Sequence, residues 1–167
     1  GKVLERAAGH ATGAYHVPCV DVVARSVHTN NLPSGAMRGF GVPQVTFAME
    51  ACLDDLCVLG GFDRWQLRYD NALTAGRLTA TGQVLGAGVA VRETLLAVKD
   101  DYARARYCGL ACGIKNCGIG NGMADWCEVE IEVAARGRLV VRHGWAEMGQ
   151  GVHTVAQQVV AEETGVA

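Results

Sequence analysis

Glycine is bunched in this chain, and two of the bunches stand directly before stretches with helical spacing. There are 22 glycines in 167 residues, well above the usual share of about 7%. Glycine alone takes positive φ freely and lets another group approach the backbone closely. The clusters therefore mark where the chain turns sharply or receives a neighbour, and the core has to come from the segments between them.

Half of the residues are hydrophobic and 19% are charged, a soluble globular composition with too many apolar residues for a disordered chain. At this length, one domain or two small ones can bury about two-thirds of the unfolded surface without metal or disulfide support. Fifteen Lys and Arg stand against 17 Asp and Glu, which removes the basic footprint of a nucleic-acid binder. Charged residues or glycine interrupt every apolar stretch well short of the roughly 18 residues that a membrane span needs. Seven cysteines at irregular spacings read as reduced thiols of a cytoplasmic protein. The chain opens on Gly1 with neither an initiator Met nor a secretory leader, which reads as a processed or excised segment.

Residues 1–16 are a mixed, Gly- and Ala-containing lead-in, and Val20, Val22, Val23 and Val27 predict a strand over Val17–Thr29. Pro43 to Leu59 carries apolar residues at steps of three and four, with proline at the start and Gly60-Gly61 at the stop, so it is a helix. Asp63 and Gln66 have capping-box spacing and start a second helix that runs to about Ala72. A surface connection follows over Leu73–Gly88, then a third helix over Val89–Arg104. From Trp126 the period changes to two: Cys127, Val129, Ile131 and Val133 alternate with Glu128, Glu130 and Glu132, and Arg136-Gly137 turns the chain into Leu139-Val140-Val141. That is a hairpin with one wet face. Helical spacing returns from Val152 almost to the end. The fold class is α+β, with a boundary near residue 80.

Three glycine-rich segments could carry chemistry. In Ser34-Gly35-Ala36-Met37-Arg38-Gly39-Phe40-Gly41-Val42-Pro43-Gln44, one Arg and one aromatic lie among glycines ahead of a helix, where backbone amides can face an electron-rich oxygen. A plain glycine turn, with Arg38 solvated and Phe40 in the core, has the same spacing. Glu147-Met148-Gly149-Gln150-Gly151-Val152-His153-Thr154 repeats the arrangement, with the Gln150 carboxamide offering a donor and an acceptor. Gly113–Gly122 is G-x-G-x-G ahead of an alternating strand, unlike a dinucleotide fingerprint, and reads as a flexible ligand-side loop. Cys108, Cys112 and Cys117 lack zinc-site spacing. Glu128, Glu130 and Glu132 read as a solvated strand face, and no histidine lies at a recognised nucleophile spacing.

Gly35–Gln44 resembles the A-x-R-G-[aromatic]-G loop of the molybdenum hydroxylases, the xanthine dehydrogenase and aldehyde oxidase family. Glu147–Thr154 is similar to that family's E-M-G-Q-G-x-H-T segment, in the expected order and at about the expected distance. The resemblance covers nearly the whole chain and implies a partial molybdopterin-binding fold of that type. Residues 1–80 would end one cofactor-binding lobe, and residues 81–167 would start the next. By resemblance, Arg38 and Gly39 lie at the cofactor, with Arg38 at the molybdenum ligand sphere, and Phe40 packs against the substrate ring. Met148, Gly149, Gln150 and Gly151 touch the molybdopterin. The family hydroxylates carbon in purine-like heterocycles or aldehydes, with water as the oxygen source, and passes electrons through [2Fe–2S] clusters and commonly FAD on partner domains or subunits.

Departures from the family pattern matter as much. The chain lacks the segment that carries the family's catalytic glutamate, and nothing in the resemblance makes Glu147 the base, so no catalytic residue is assigned. As an internal slice, the chain is expected to be silent alone, to need the rest of the molybdenum subunit, and to self-associate through uncovered apolar surface. The competing reading is a non-catalytic α/β module whose glycine-rich loops hold an anion or another protein.

Overall fold

The computed structural model describes residues 1–33, 35–118 and 124–166. Contacts divide the chain into two units, Gly1–Asn116 and Cys117–Ala167.

The first unit begins with helix α1, Lys2–Gly9, where the sequence suggested only an irregular lead-in. Residues 17–29 are extended, as their valines favour, yet they lie in no sheet among the described residues, and Val23 and Val27 are each 74% exposed. The expected strand is therefore corrected: β propensity reflects packing on a paired, half-buried surface, and this segment has no such surface here.

Helix α2, Val42–Gly60, carries proline in its first turn and ends on Gly61 in the left-handed conformation. Asp63 then caps α3, Arg64–Asn71, its carboxylate accepting from Gln66 N at 2.7 Å. The Gln66 side chain turns to Asp70 at 2.8 Å, so only half of the capping box forms. The following connection is not all surface: Leu73 is buried and its amide donates to Ala14 O, and a Leu78–Val84 bridge closes the turn beyond it.

The single third helix expected over Val89–Arg104 is two, α4 at Val91–Ala97 and α5 at Lys99–Arg104. Val98 separates them at φ −103°, ψ 0°. Asp100 and Asp101 fall in the first turn of α5, where acidic groups favour a new helix start.

The core of this unit gathers Ala14, Tyr15, Trp65, Ala72, Leu95 and Cys112, with Met49, Leu53 and Tyr69 packed against them. Trp65 stacks on Tyr69 at 4.8 Å and donates from its indole nitrogen to Leu95 O, which joins α3 to α4. Arg68 is fully buried and bonds Glu50 and Asp54 of α2. Tyr15 O–H donates to the other Glu50 oxygen at 2.5 Å.

The second unit is an antiparallel hairpin followed by a helix. Strands β1, Val129–Val133, and β2, Leu139–His143, pair with Ile131 opposite Val141. The turn between them passes through Gly137 at φ 73°. Arg142 reaches both Glu130 and Glu132, so these glutamates form a paired, wet face as expected. The opposite face is not dry: Val129, Ile131 and Val133 are all exposed. Helix α6 spans Val152–Thr164 and stops at Gly165 in the left-handed conformation. All seven cysteines are free thiols.

Candidate functional site

The first glycine loop leads into α2. Phe40 N donates to Met37 O and Val42 N to Gly39 O, while Gln44 Oε1 accepts from Gly41 N at 2.9 Å. The amides at 40, 41 and 42 are thus satisfied within the loop. Gly41 has a different purpose from the ligand approach that its spacing suggested. At φ 85°, a Cβ there would fall 2.1 Å from Val3 O and 2.7 Å from Ala7 N of α1, so the bare glycine admits a helix backbone. Arg38 is exposed and Phe40 half-buried. Both therefore sit on the loop and outside the closed core, with Gly39 at φ 84° between them.

The second loop joins β2 to α6. Gln150 lies between strand and helix, as expected, in a bend that ends at Gly151 with φ 76°. Gln150 Oε1 accepts from Met148 N, and its Nε2 donates to Ala146 O at 2.8 Å. Glu147 Oε1 accepts from Gly149 N at 2.7 Å and from Gly151 N at 3.0 Å. The expectation that the amides from 151 onward stay unpaired is overturned at Gly151 by a carboxylate of the loop itself. The Gly151 amide first, then those of Gly149, His153 and Val152, hold Glu147 below the usual carboxylate range against a smaller opposing effect of desolvation.

His153, in the first turn of α6, places Nδ1 3.2 Å from Nε2 of His143 at the end of β2. Trp145 N donates to His143 Nδ1, which leaves His143 Nε2 as the hydrogen-bearing nitrogen facing His153. The sequence reading passed over three features: the Glu147 cap, the His143–His153 pair and the Gln44 cap. An acidic residue two and four positions ahead of loop glycines was the available signal for the first.

Of the Gly113–Gly122 loop, residues 119–122 lie outside the described residues. Among the described residues there is no cluster of three or more His, Cys, Asp or Glu able to hold a metal, and no helix long and apolar enough to cross a membrane.

The donors fit the neutral, amide-rich ring of a pterin. A carboxamide offers two N–H groups and two lone pairs, and Gln150 spends one of each on its own loop. It keeps one donor and one acceptor at an exposed position, beside the exposed Met148.

Two family models described as "Molybdopterin cofactor-binding domain" match residues 1–72 and 88–167, so both glycine loops fall inside matched segments. The chain is 32% identical over 181 residues to the "Xanthine dehydrogenase molybdenum-binding subunit" of Escherichia coli, covering 99% of this chain and 24% of that protein. It is 46% identical over 93 residues to the "Nicotinate dehydrogenase large molybdopterin subunit" of Eubacterium barkeri, covering 56% of this chain and 22% of that one. The aldehyde oxidoreductase structure from Desulfovibrio desulfuricans superposes with a TM-score of 0.75 at 22% identity, over 96% of this chain and 19% of that one, which shows a shared fold. The fold is thus that of a partial molybdopterin-binding region. The chain belongs to the molybdenum hydroxylase family of xanthine dehydrogenases and aldehyde oxidases, and spans about a quarter or less of the length of the curated relatives it matches.

Proposed function

We propose that this chain is part of a molybdenum-dependent hydroxylase and carries two molybdopterin-contacting loops, residues 35–44 and 147–154. The observation that carries this reading is the pairing of two glycine loops, each entering a helix, with cofactor-binding models that match both halves. When bound, the molybdenum cofactor supplies the oxygen-transfer and electron-accepting chemistry by which a purine-like heterocycle or an aldehyde is oxidised with water as the oxygen source.

The residues of this chain bind and orient. Gln150 offers its remaining N–H and lone pair to a pterin edge, and Met148 offers an adaptable apolar surface. Gly149 and Gly151 give the backbone the positive φ that the turn requires. Arg38 and Gly39 are assigned to the molybdenum end, where the Arg38 backbone amide would donate toward the metal's ligand sphere. Phe40 is assigned to the substrate ring, where an aromatic face packs against a planar heterocycle. No proton-transfer residue is assigned. The [2Fe–2S] and FAD centres that accept the electrons belong to partner domains or subunits.

The competing reading, an anion-holding module, is disfavoured because Glu147 stands where an anion would bind. Dye-linked oxidation of a purine, an N-heterocycle and an aldehyde by the intact enzyme tests the proposal. Turnover of at least one that is lost on removal of molybdenum supports it, and turnover indifferent to molybdenum refutes it.

A further inference from the structure

Glu147 is solvent-exposed, yet it does not extend into water. Its Oε1 accepts from two amides of its own loop, at 2.7 Å and 3.0 Å. The loop turns through Gly149 and Gly151 at φ of 87° and 76°, which residues with a Cβ rarely adopt. The same turn brings Gln150 back onto Met148 N and Ala146 O, so that one edge of its carboxamide faces the loop and the other is left over.

We propose that Glu147 is a positioning residue: its carboxylate serves as the loop's internal anion, folds residues 146–151 into the turn that presents the outer edge of Gln150, and reserves this helix end for a neutral hydrogen-bonding edge against a phosphate. The proposal rests on the reading that this loop meets the cofactor. An incoming phosphate would have to displace a carboxylate tethered a few residues away, whose effective concentration is high, and would meet it as a like charge. A neutral pterin edge meets neither obstacle.

Hydrogen–deuterium exchange of the intact protein, with inorganic phosphate as the probe, tests this. In the wild type, the amides of Gly149 and Gly151 should exchange slowly, and phosphate should leave them unchanged. In Glu147→Ala they should exchange about five- to tenfold faster, and added phosphate should restore the protection. Glu147→Gln keeps an acceptor oxygen without the charge, so it should retain part of the protection and become phosphate-sensitive. Phosphate that slows exchange in the wild type as much as in the variants would overturn the reservation against anions. Unchanged exchange in Glu147→Ala would overturn the shaping role. Molybdenum and pterin content of the same preparations reports separately: the expected exchange pattern in a cofactor-free intact protein would sink the cofactor reading alone.

Discussion

The Arg68 guanidinium, fully buried, donates from Nε to the Glu50 carboxylate at 2.8 Å, so a charge on α3 is met by a charge on α2. Glu50 also takes the Tyr15 hydroxyl, and Arg68 reaches Asp54 and the Arg64 carbonyl. With Arg68 removed, Glu50 becomes an uncompensated buried charge, at a cost of about 3–5 kcal/mol, whereas Arg68 without Glu50 still has Asp54. Arg68→Ala should lower unfolding stability by an amount in that range, read from urea denaturation. A loss below about 1 kcal/mol would mean that water reaches Glu50 and screens it.

The Tyr15 hydroxyl has its own pH signature. Burial first, then the hydrogen bonds to Glu50 and Cys112, raise its pKa far above the ordinary tyrosine range. The folded state therefore holds this proton after an unfolded chain has lost it. The stabilisation is complete below the ordinary tyrosine pKa of about 10 and declines as pH rises above it. Tyr15→Phe should flatten the alkaline limb of a stability–pH profile. An alkaline limb equally steep in the variant would assign the loss to another group.

Gly41 and Gly61 both have positive φ, but only Gly41 faces another backbone within contact distance. Gly61→Ala should cost about 1 kcal/mol, the penalty of the left-handed conformation. Gly41→Ala adds a clash with Val3 O and Ala7 N and should cost at least about 2 kcal/mol, with faster hydrogen exchange in α1. Equal costs at the two positions would contradict the close approach of α1.

Where the signal was local, the sequence could be read. The α2 proline and its glycine stop, the Asp63 cap, the Gly137 turn and the start of α6 at Val152 all depend on a few adjacent residues. The failures share a non-local cause. Val17–Thr29 has the composition of a strand, but a strand exists only through its partner. Glu50 stands among the apolar positions of α2 and gave no sign that Arg68, 18 residues on, would bury itself against it. In the candidate site, the positions of both loops were legible and their internal satisfaction was not. Gln44 and Glu147 looked like neighbours of a ligand site, and each instead completes its own loop.

Phe40, half-buried beside the exposed Arg38, should matter to substrate more than to folding. In the intact enzyme, Phe40→Ala should lower kcat/KM for an aromatic substrate by about 0.5–1.5 kcal/mol of transition-state stabilisation, with metal content near normal. Loss of molybdenum in this variant would make Phe40 a structural residue of the loop.

The central claim is that these two loops hold molybdopterin, and metal and pterin analysis of the intact protein measures it most directly. Molybdenum and pterin should be present at close to one per polypeptide in the wild type. Both should fall sharply together in the Arg38→Ala, Gln150→Ala double variant, which changes one assigned residue in each loop, while thermal unfolding of the cofactor-free protein stays nearly unchanged. A wild-type protein without molybdenum, or a double variant with full molybdenum and pterin, would contradict the account.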